Sequence, residues 1–273
     1  MHFFFVIMSN LCSFSSLKRF FNDIFKILKE TDKEVIDIWY DPLENGLFKN
    51  LSNDQVNEIL ENFNCIKVEK GNYKDYISIN KISFIIESMK FIDGIHVKQL
   101  SEILDFNAFE QLIQEILLES GYFTVKNYRF SDRSNFKSKT KQGKYEIDVI
   151  GIHEKFLLII DAKQWRRKDT FGALNKAADM QLRRVQALKH NPEAFSKLIQ
   201  ELMGVNPRIR KKLPYVLIPL MVTIEDNHIR MNDNQVPLVS ISTFNSFLQE
   251  LPLNLHYFKN IKINKVNIQT QLF

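Results

Sequence analysis

Apolar positions at helical spacing open the chain: Leu17, Phe20, Phe21, Ile24, Phe25 and Leu28 recur every three or four residues, and this predicts an amphipathic helix with a buried stripe. Ser52 followed three residues later by Gln55 forms a capping-box pattern, and Val56, Ile59, Leu60 and Phe63 continue it as a second helix. Residues 65–79, broken by Gly71 and Asn72, read as a β-hairpin. Two more helices are expected around residues 82–91 and 97–104. Helix followed by hairpin suggests a winged-helix-like module. Its helix carries Asp54, Glu58 and Glu61 and no Lys or Arg, which favours a scaffold or a surface that docks a protein partner over DNA reading.

From residue 107 the pattern changes. A helix over 108–120 leads into a strand over 122–130, a basic loop, and two apolar strands over 145–152 and 156–165. Helices over 172–190 and 192–203 follow. After the basic run Arg208 to Lys212 comes a strongly apolar strand over 215–224, then 236–241 and a short helix over 243–251. The order αβββαβ predicts an α/β sandwich with helices on both sheet faces. Two domains are expected, a mainly helical one over 1–106 and an α/β one over 107–273.

Composition narrows the class. With 273 residues, 45% hydrophobic and 25% charged, the chain falls in the range of globular proteins with a real core. The uncharged run His2 to Met8 is far short of the roughly 20 residues that span a bilayer, so a soluble protein without membrane association is expected. Cys12 and Cys65 form no CxxC and provide neither a disulfide framework nor a zinc site, and a reducing, cytoplasmic setting is the simplest reading. Eight scattered glycines make no dinucleotide or P-loop fingerprint. Charge is divided unevenly: the first 106 residues hold 12 Lys and Arg against 16 Asp and Glu, the remainder 25 against 16. A basic second half attracts polyanions, so nucleic acid is the expected partner.

The chemistry lies in Lys144-Tyr-Glu-Ile-Asp148-Val-Ile-Gly-Ile and Phe156-Leu-Leu-Ile-Ile-Asp161-Ala-Lys163-Gln-Trp. Aspartate is depleted in strand interiors, yet one interrupts each of two adjacent apolar runs. Alternation puts Asp161 and Lys163 on one face. A two-residue turn at Glu154-Lys155 would set Asp148 directly opposite Asp161. Like charges so placed destabilise a sheet unless a cation lies between them. Mg²⁺ suits, since it is held through one or two carboxylates, waters and substrate phosphate oxygens. It would polarise a scissile phosphate and acidify a bound water, with Lys163 orienting that water or stabilising transition-state charge.

These residues resemble the PD-(D/E)XK nuclease superfamily, the restriction-endonuclease-like fold. Phe109-Glu110 opening a helix that ends in Gly121-Tyr122 resembles the Mrr-like branch, and Glu146-Ile-Asp148 with Asp161-Ala-Lys163-Gln-Trp resembles the nuclease-related NERD branch and archaeal junction resolvases. The resemblance spans about 107–251 and implies an αβββαβ core with a mixed central sheet flanked by helices. It implies Asp148, Asp161 and the Ala162 backbone carbonyl as ligands to Mg²⁺ or Mn²⁺, Lys163 as catalytic, Glu110 as an outer metal or water contact, and Gln181 as a further site residue. Asn107 with Glu110 is equally a capping-box pattern. Mrr-like relatives often carry Gln where Asp161 stands, and Val185 occupies the position where a Tyr would follow Gln181. Arg166, Arg167, Lys168, Arg183 and Arg184, with the loop residues Arg133, Lys137, Lys139, Lys141 and Lys144, are candidates for phosphate contact. His153, His190 and His228 have no partner spacing.

The expected function is a Mg²⁺-dependent endonuclease acting on DNA. The competing readings are a catalytically inactive nucleic-acid-binding or assembly protein on the same fold, and an RNA-directed nuclease. A homodimer stays open.

Overall fold

The computed structural model describes residues 14–31, 33–38, 52–72, 76–89, 94–131, 143–164, 171–204, 213–225 and 230–266. The chain divides into two compact units, Met1–Ala108 and Phe109–Phe273.

In the first unit, α1 (Phe14–Lys29) buries Leu17, Phe20, Phe21, Ile24, Phe25 and Leu28, the stripe that the periodicity predicts. Phe21 stacks on Phe84 with ring centroids 5.2 Å apart and meets Phe63 edge-on. After β1 (Val35–Ile38), α2 (Asn53–Glu61) begins at Ser52 with both halves of the capping box formed. The hairpin β2 (Ile66–Glu69) and β3 (Tyr76–Asn80) completes an antiparallel sheet of order β1-β3-β2. Two helices close the unit, α3 (Lys81–Ser88) and α4 (Gly94–Glu102). A helical N-terminal region with a small three-stranded sheet is therefore present, and Asp54, Glu58 and Glu61 of α2 face solvent.

The second unit is built on a mixed sheet. Following α5 (Phe106–Glu119) come β4 (Phe123–Ser131), β5 (Lys144–His153) and β6 (Phe156–Lys163), an antiparallel meander. The helices α6 (Phe171–Lys189) and α7 (Pro192–Met203) carry the chain across to β7 (Tyr215–Thr223), which pairs parallel to β6. The short β8 (Leu238–Ser240) pairs parallel to β7, α8 (Phe244–Asn254) follows, and β9 (Ile261–Ile263) returns antiparallel against β7. The order along the sheet is β4-β5-β6-β7-β8. β7 is buried along its whole length, which is what a central strand covered on both faces requires. This is the restriction-endonuclease-like αβββαβ arrangement.

Two layers cover the sheet. Leu174, Ala178, Val185 and Leu188 of α6, with Phe195, Leu198 and Ile199 of α7, share one core with Ile150, Ile152, Leu157, Ile159 and Leu217. α5 approaches at Gly151, where an added Cβ would lie 3.0 Å from Leu117 Cδ1 and 3.3 Å from Tyr122 Cδ1. Glycine there allows helix and strand to come together. Among the described residues no helix is long and apolar enough to cross a membrane.

Candidate active site

The β5–β6 hairpin turns through Glu154 and Lys155, with His153 opposite Phe156. Glu154 has φ 53°, the positive φ that the first central residue of a primed hairpin turn requires. The paired register runs back to Val149 opposite Ile160 and stops there. One step further it sets Asp148 opposite Asp161. Beyond that point β5 pairs only with β4, and β6 only with β7, so the strands open into a fork with the two aspartates at its base.

The β4–β5 backbone is irregular beside Asp148. The β4–β5 ladder skips one pair, Asn127 and Asp148, between Lys126–Val149 and Tyr128–Ile147, and Asn127 has φ 54°. Asparagine tolerates this region better than most residues. The Asp148 side chain takes a hydrogen bond at 2.8 Å that Ala162 N–H donates to its Oδ2. Because the N–H and C=O of one strand residue point to the same side, the Ala162 carbonyl also faces the fork.

Asp161 is only 1% exposed. Arg184 Nη1 donates to its Oδ1 at 2.5 Å, and Lys163 Nζ lies 3.1 Å from Oδ2. The lysine's angle to Oδ2 falls outside hydrogen-bond geometry, leaving that oxygen buried without a hydrogen-bond partner. Burial and the Asp161 charge push the Asp148 carboxyl above its usual range, while the Ala162 N–H, Lys163 and Arg184 pull it back.

Glu110 projects from α5 and is 8% exposed, with Oε2 unpartnered. Its capping-box alternative does not hold. The helix starts earlier than Asn107, and Asp105 Oδ1 accepts from Ala108 N–H at 2.7 Å, satisfying the N-terminal turn. Desolvation, then repulsion from Asp148, raises the Glu110 carboxyl to about 7.

Gln181 is fully buried in the α6 stripe. Its Nε2 donates to the Ile159 carbonyl at 2.7 Å, and its Oε1 accepts from Arg184 Nη1 at 3.0 Å. It is linked to Asp161 through Arg184. In this structure the Arg184 guanidinium is hydrogen-bonded to Asp161 and Gln181. That partnership was visible as a signal only in part: Gln181 interrupts an otherwise apolar helix stripe, and Arg184 is its i+3 neighbour. Arg183 is exposed, as are Lys144, His153 and His190. Arg133, Lys137, Lys139, Lys141, Arg166, Arg167, Lys168, the run Arg208 to Lys212, His228 and Cys12 lie outside the described residues.

The fork suits a divalent cation by its donor chemistry. Asp161 raises the proton affinity of the half-buried Asp148, Asp148 raises that of Glu110, and Asp161 Oδ2 and Glu110 Oε2 have no hydrogen-bond donor. Among the described residues no three His, Cys, Asp or Glu side chains form a ready-made metal cluster. Two carboxylates and a carbonyl, completed by water and substrate oxygens, are what Mg²⁺ usually takes from a protein.

Residues 106–218 match the family described as NERD, nuclease-related domain. The match covers α5 through the first residues of β7 and contains Glu110, Asp148, Asp161, Lys163, Gln181 and Arg184. It fits the PD-(D/E)XK resemblance that the motif residues carry, and marks this part of the chain as nuclease-related. No curated protein matches the chain. A solved structure, the crystal structure of protein VC1899 from Vibrio cholerae, is similar at 14% identity with a TM-score of 0.29, the match covering 88% of this chain and 52% of that one. This chain thus spans about half the length of that protein.

Proposed function

We propose that the second unit is a Mg²⁺-dependent nuclease that hydrolyses phosphodiester bonds in DNA, with Asp148, Asp161 and the Ala162 carbonyl holding the ion. The observation that carries this reading is the fork: a buried Asp161 and a half-buried Asp148 are brought together where β5 and β6 part, beside a lysine, within a nuclease-related segment. Such an ion, when bound, would polarise the scissile phosphate and lower the pKa of a water. Asp148 is held in place by the Ala162 N–H. The Lys163 side chain is 23% exposed, which leaves its ammonium open to a phosphate while Asp161 stays buried. Glu110, whose pKa is raised to about 7 and which is therefore about half protonated at neutral pH, is able to accept or release a proton at the rim of the same carboxylate group. The basic surface supplies sequence-independent attraction to the backbone. A cytoplasmic setting accords with this reading, Cys65 being a free, buried thiol.

One observation favours the inactive-binder reading. Arg184 and Lys163 together neutralise Asp161 without any metal. Cleavage assays on supercoiled, linear, single-stranded and junction DNA and on RNA, with Mg²⁺ or Mn²⁺, separate the two. Wild type should cut DNA, while Asp148→Ala and Lys163→Ala should bind it to within about tenfold of wild type and cut none. Wild-type protein that binds yet cuts no nucleic acid with either ion, indistinguishable from Lys163→Ala, establishes the binder.

A further inference from the structure

The Arg184–Asp161 pair is unusual for a carboxylate that has a cation to hold. Its side chains are 21% and 2% exposed, so the attraction is only weakly screened by solvent. The guanidinium is also fixed from behind. Gln181 Oε1 accepts from the same Nη1 at 3.0 Å, and Gln181 Nε2 is anchored at 2.7 Å on the Ile159 carbonyl, two residues before Asp161 on β6. Strand, glutamine, arginine and aspartate thus close a ring in which every bond has its donor and acceptor. A side chain retained by packing alone would need no such tether.

We propose that Arg184 is the resident counter-ion of Asp161 and sets the affinity of the site for divalent cations by competing with them. This rests on the reading that Asp161 is a metal ligand. With no cation bound, Arg184 neutralises the buried carboxylate, so the fork folds without leaving two like charges uncompensated. A divalent ion ligated by Asp161 meets a positive charge already hydrogen-bonded to Oδ1 and must weaken that bond. The Gln181 tether keeps the displaced guanidinium at the rim, where a substrate phosphate is its natural new partner. Metal and Arg184 therefore oppose each other at Asp161, and a bound phosphodiester relieves the opposition. Empty protein is stable, and cation occupancy is coupled to substrate.

Calorimetric titration of the full-length, metal-free protein with Mn²⁺ tests this on wild type, Arg184→Met and Arg184→Lys. Arg184→Met should bind Mn²⁺ about tenfold tighter than wild type, a coupling of ordinary size, while Arg184→Lys, which keeps the charge, should stay close to wild type. Equal or weaker binding in Arg184→Met, with wild type binding, overturns the proposal and leaves the metal-dependent reading standing. If neither protein binds Mn²⁺, both fall. Should Arg184→Met not fold, wild type alone decides. The Arg184 guanidinium ¹⁵N–¹H resonance, identified by its absence in Arg184→Lys, should shift or vanish on saturation with Mg²⁺. A resonance unmoved by saturating Mg²⁺ overturns the competition.

Discussion

Glu110 illustrates what the site does to a single residue. An isolated glutamate ionises near 4.3, and this one, buried beside Asp148, does so at about 7. Because the folded pKa lies above the unfolded one, the native state binds the proton more tightly. Stability is fully present below the unfolded pKa and is lost as pH rises toward 7. In chelator-treated protein, Glu110→Gln should therefore melt higher than wild type at pH 8, by up to about 3 kcal/mol, and close to wild type at pH 4.5. A wild-type melting temperature that is equally lowered relative to the variant at both pH values contradicts the assignment. Asp148 obeys the same sign, its carboxyl being raised by burial and Asp161. Asp148→Asn keeps an acceptor for the Ala162 N–H and removes the repulsion, so metal-free protein should gain about 1 kcal/mol while cleavage is lost, the usual opposition of stability and activity. Thermal melts in chelator at pH 8, set beside the cleavage assay, check both halves.

At the scale of elements, the site depends on how closely α5 lies on the sheet. Leu117 and Tyr122 come within 3.0 to 3.3 Å of where a Gly151 side chain would start. Gly151→Ala meets the movable end of Leu117 and, at 3.3 Å, the edge of the Tyr122 ring, but Gly151→Val adds two further methyl groups with nowhere to go and should cost about 1–3 kcal/mol by overpacking. It should also lift the helix that carries Glu110, so the fall in urea midpoint should come with a shift in the pH dependence of melting. A variant as stable as wild type would mean that α5 adjusts freely. The strands of this sheet were legible because apolar runs with period-two parity and a two-residue gap leave one hairpin register. What stayed hidden has a common cause. β1 is four residues long with Asp37 among them, and β9 is three, too short for periodicity to register; both exist through pairing with distant strands. The true cap at Asp105 was masked by the better pattern at Asn107. Arg184 reads as a surface cation until the fold brings Asp161, 23 residues earlier, against it, and no local spacing encodes that.

Across the whole molecule, charge and architecture divide along the same line. The unit Met1–Ala108 holds all 16 acidic and 12 basic residues of the first half, and Phe109–Phe273 holds 25 basic against 16 acidic. A polyanion is therefore drawn to the unit that contains the fork. Duplex DNA binding by the full chain should weaken steeply with salt, because each neutralised phosphate releases condensed counterions, about 0.9 in log K per log salt for every contact. Arg183 is exposed and unclaimed by the Asp161 network, so Arg183→Ala should lower the slope by about one unit. Replacing Arg166, Arg167 and Lys168 together should lower it by up to about three. Arg184→Ala should behave otherwise: its guanidinium starts on Asp161, so the slope measured in chelator should hold close to wild type. Fluorescence-anisotropy titrations at four or five salt concentrations with Asp148→Ala as the uncleaving background measure all of these. A slope near zero for the parent protein removes the electrostatic basis for nucleic-acid binding. An Arg184 variant that loses as much slope as Arg183→Ala shows that Arg184 contacts phosphate even without metal, and that its partnership with Asp161 is weaker than the buried geometry implies.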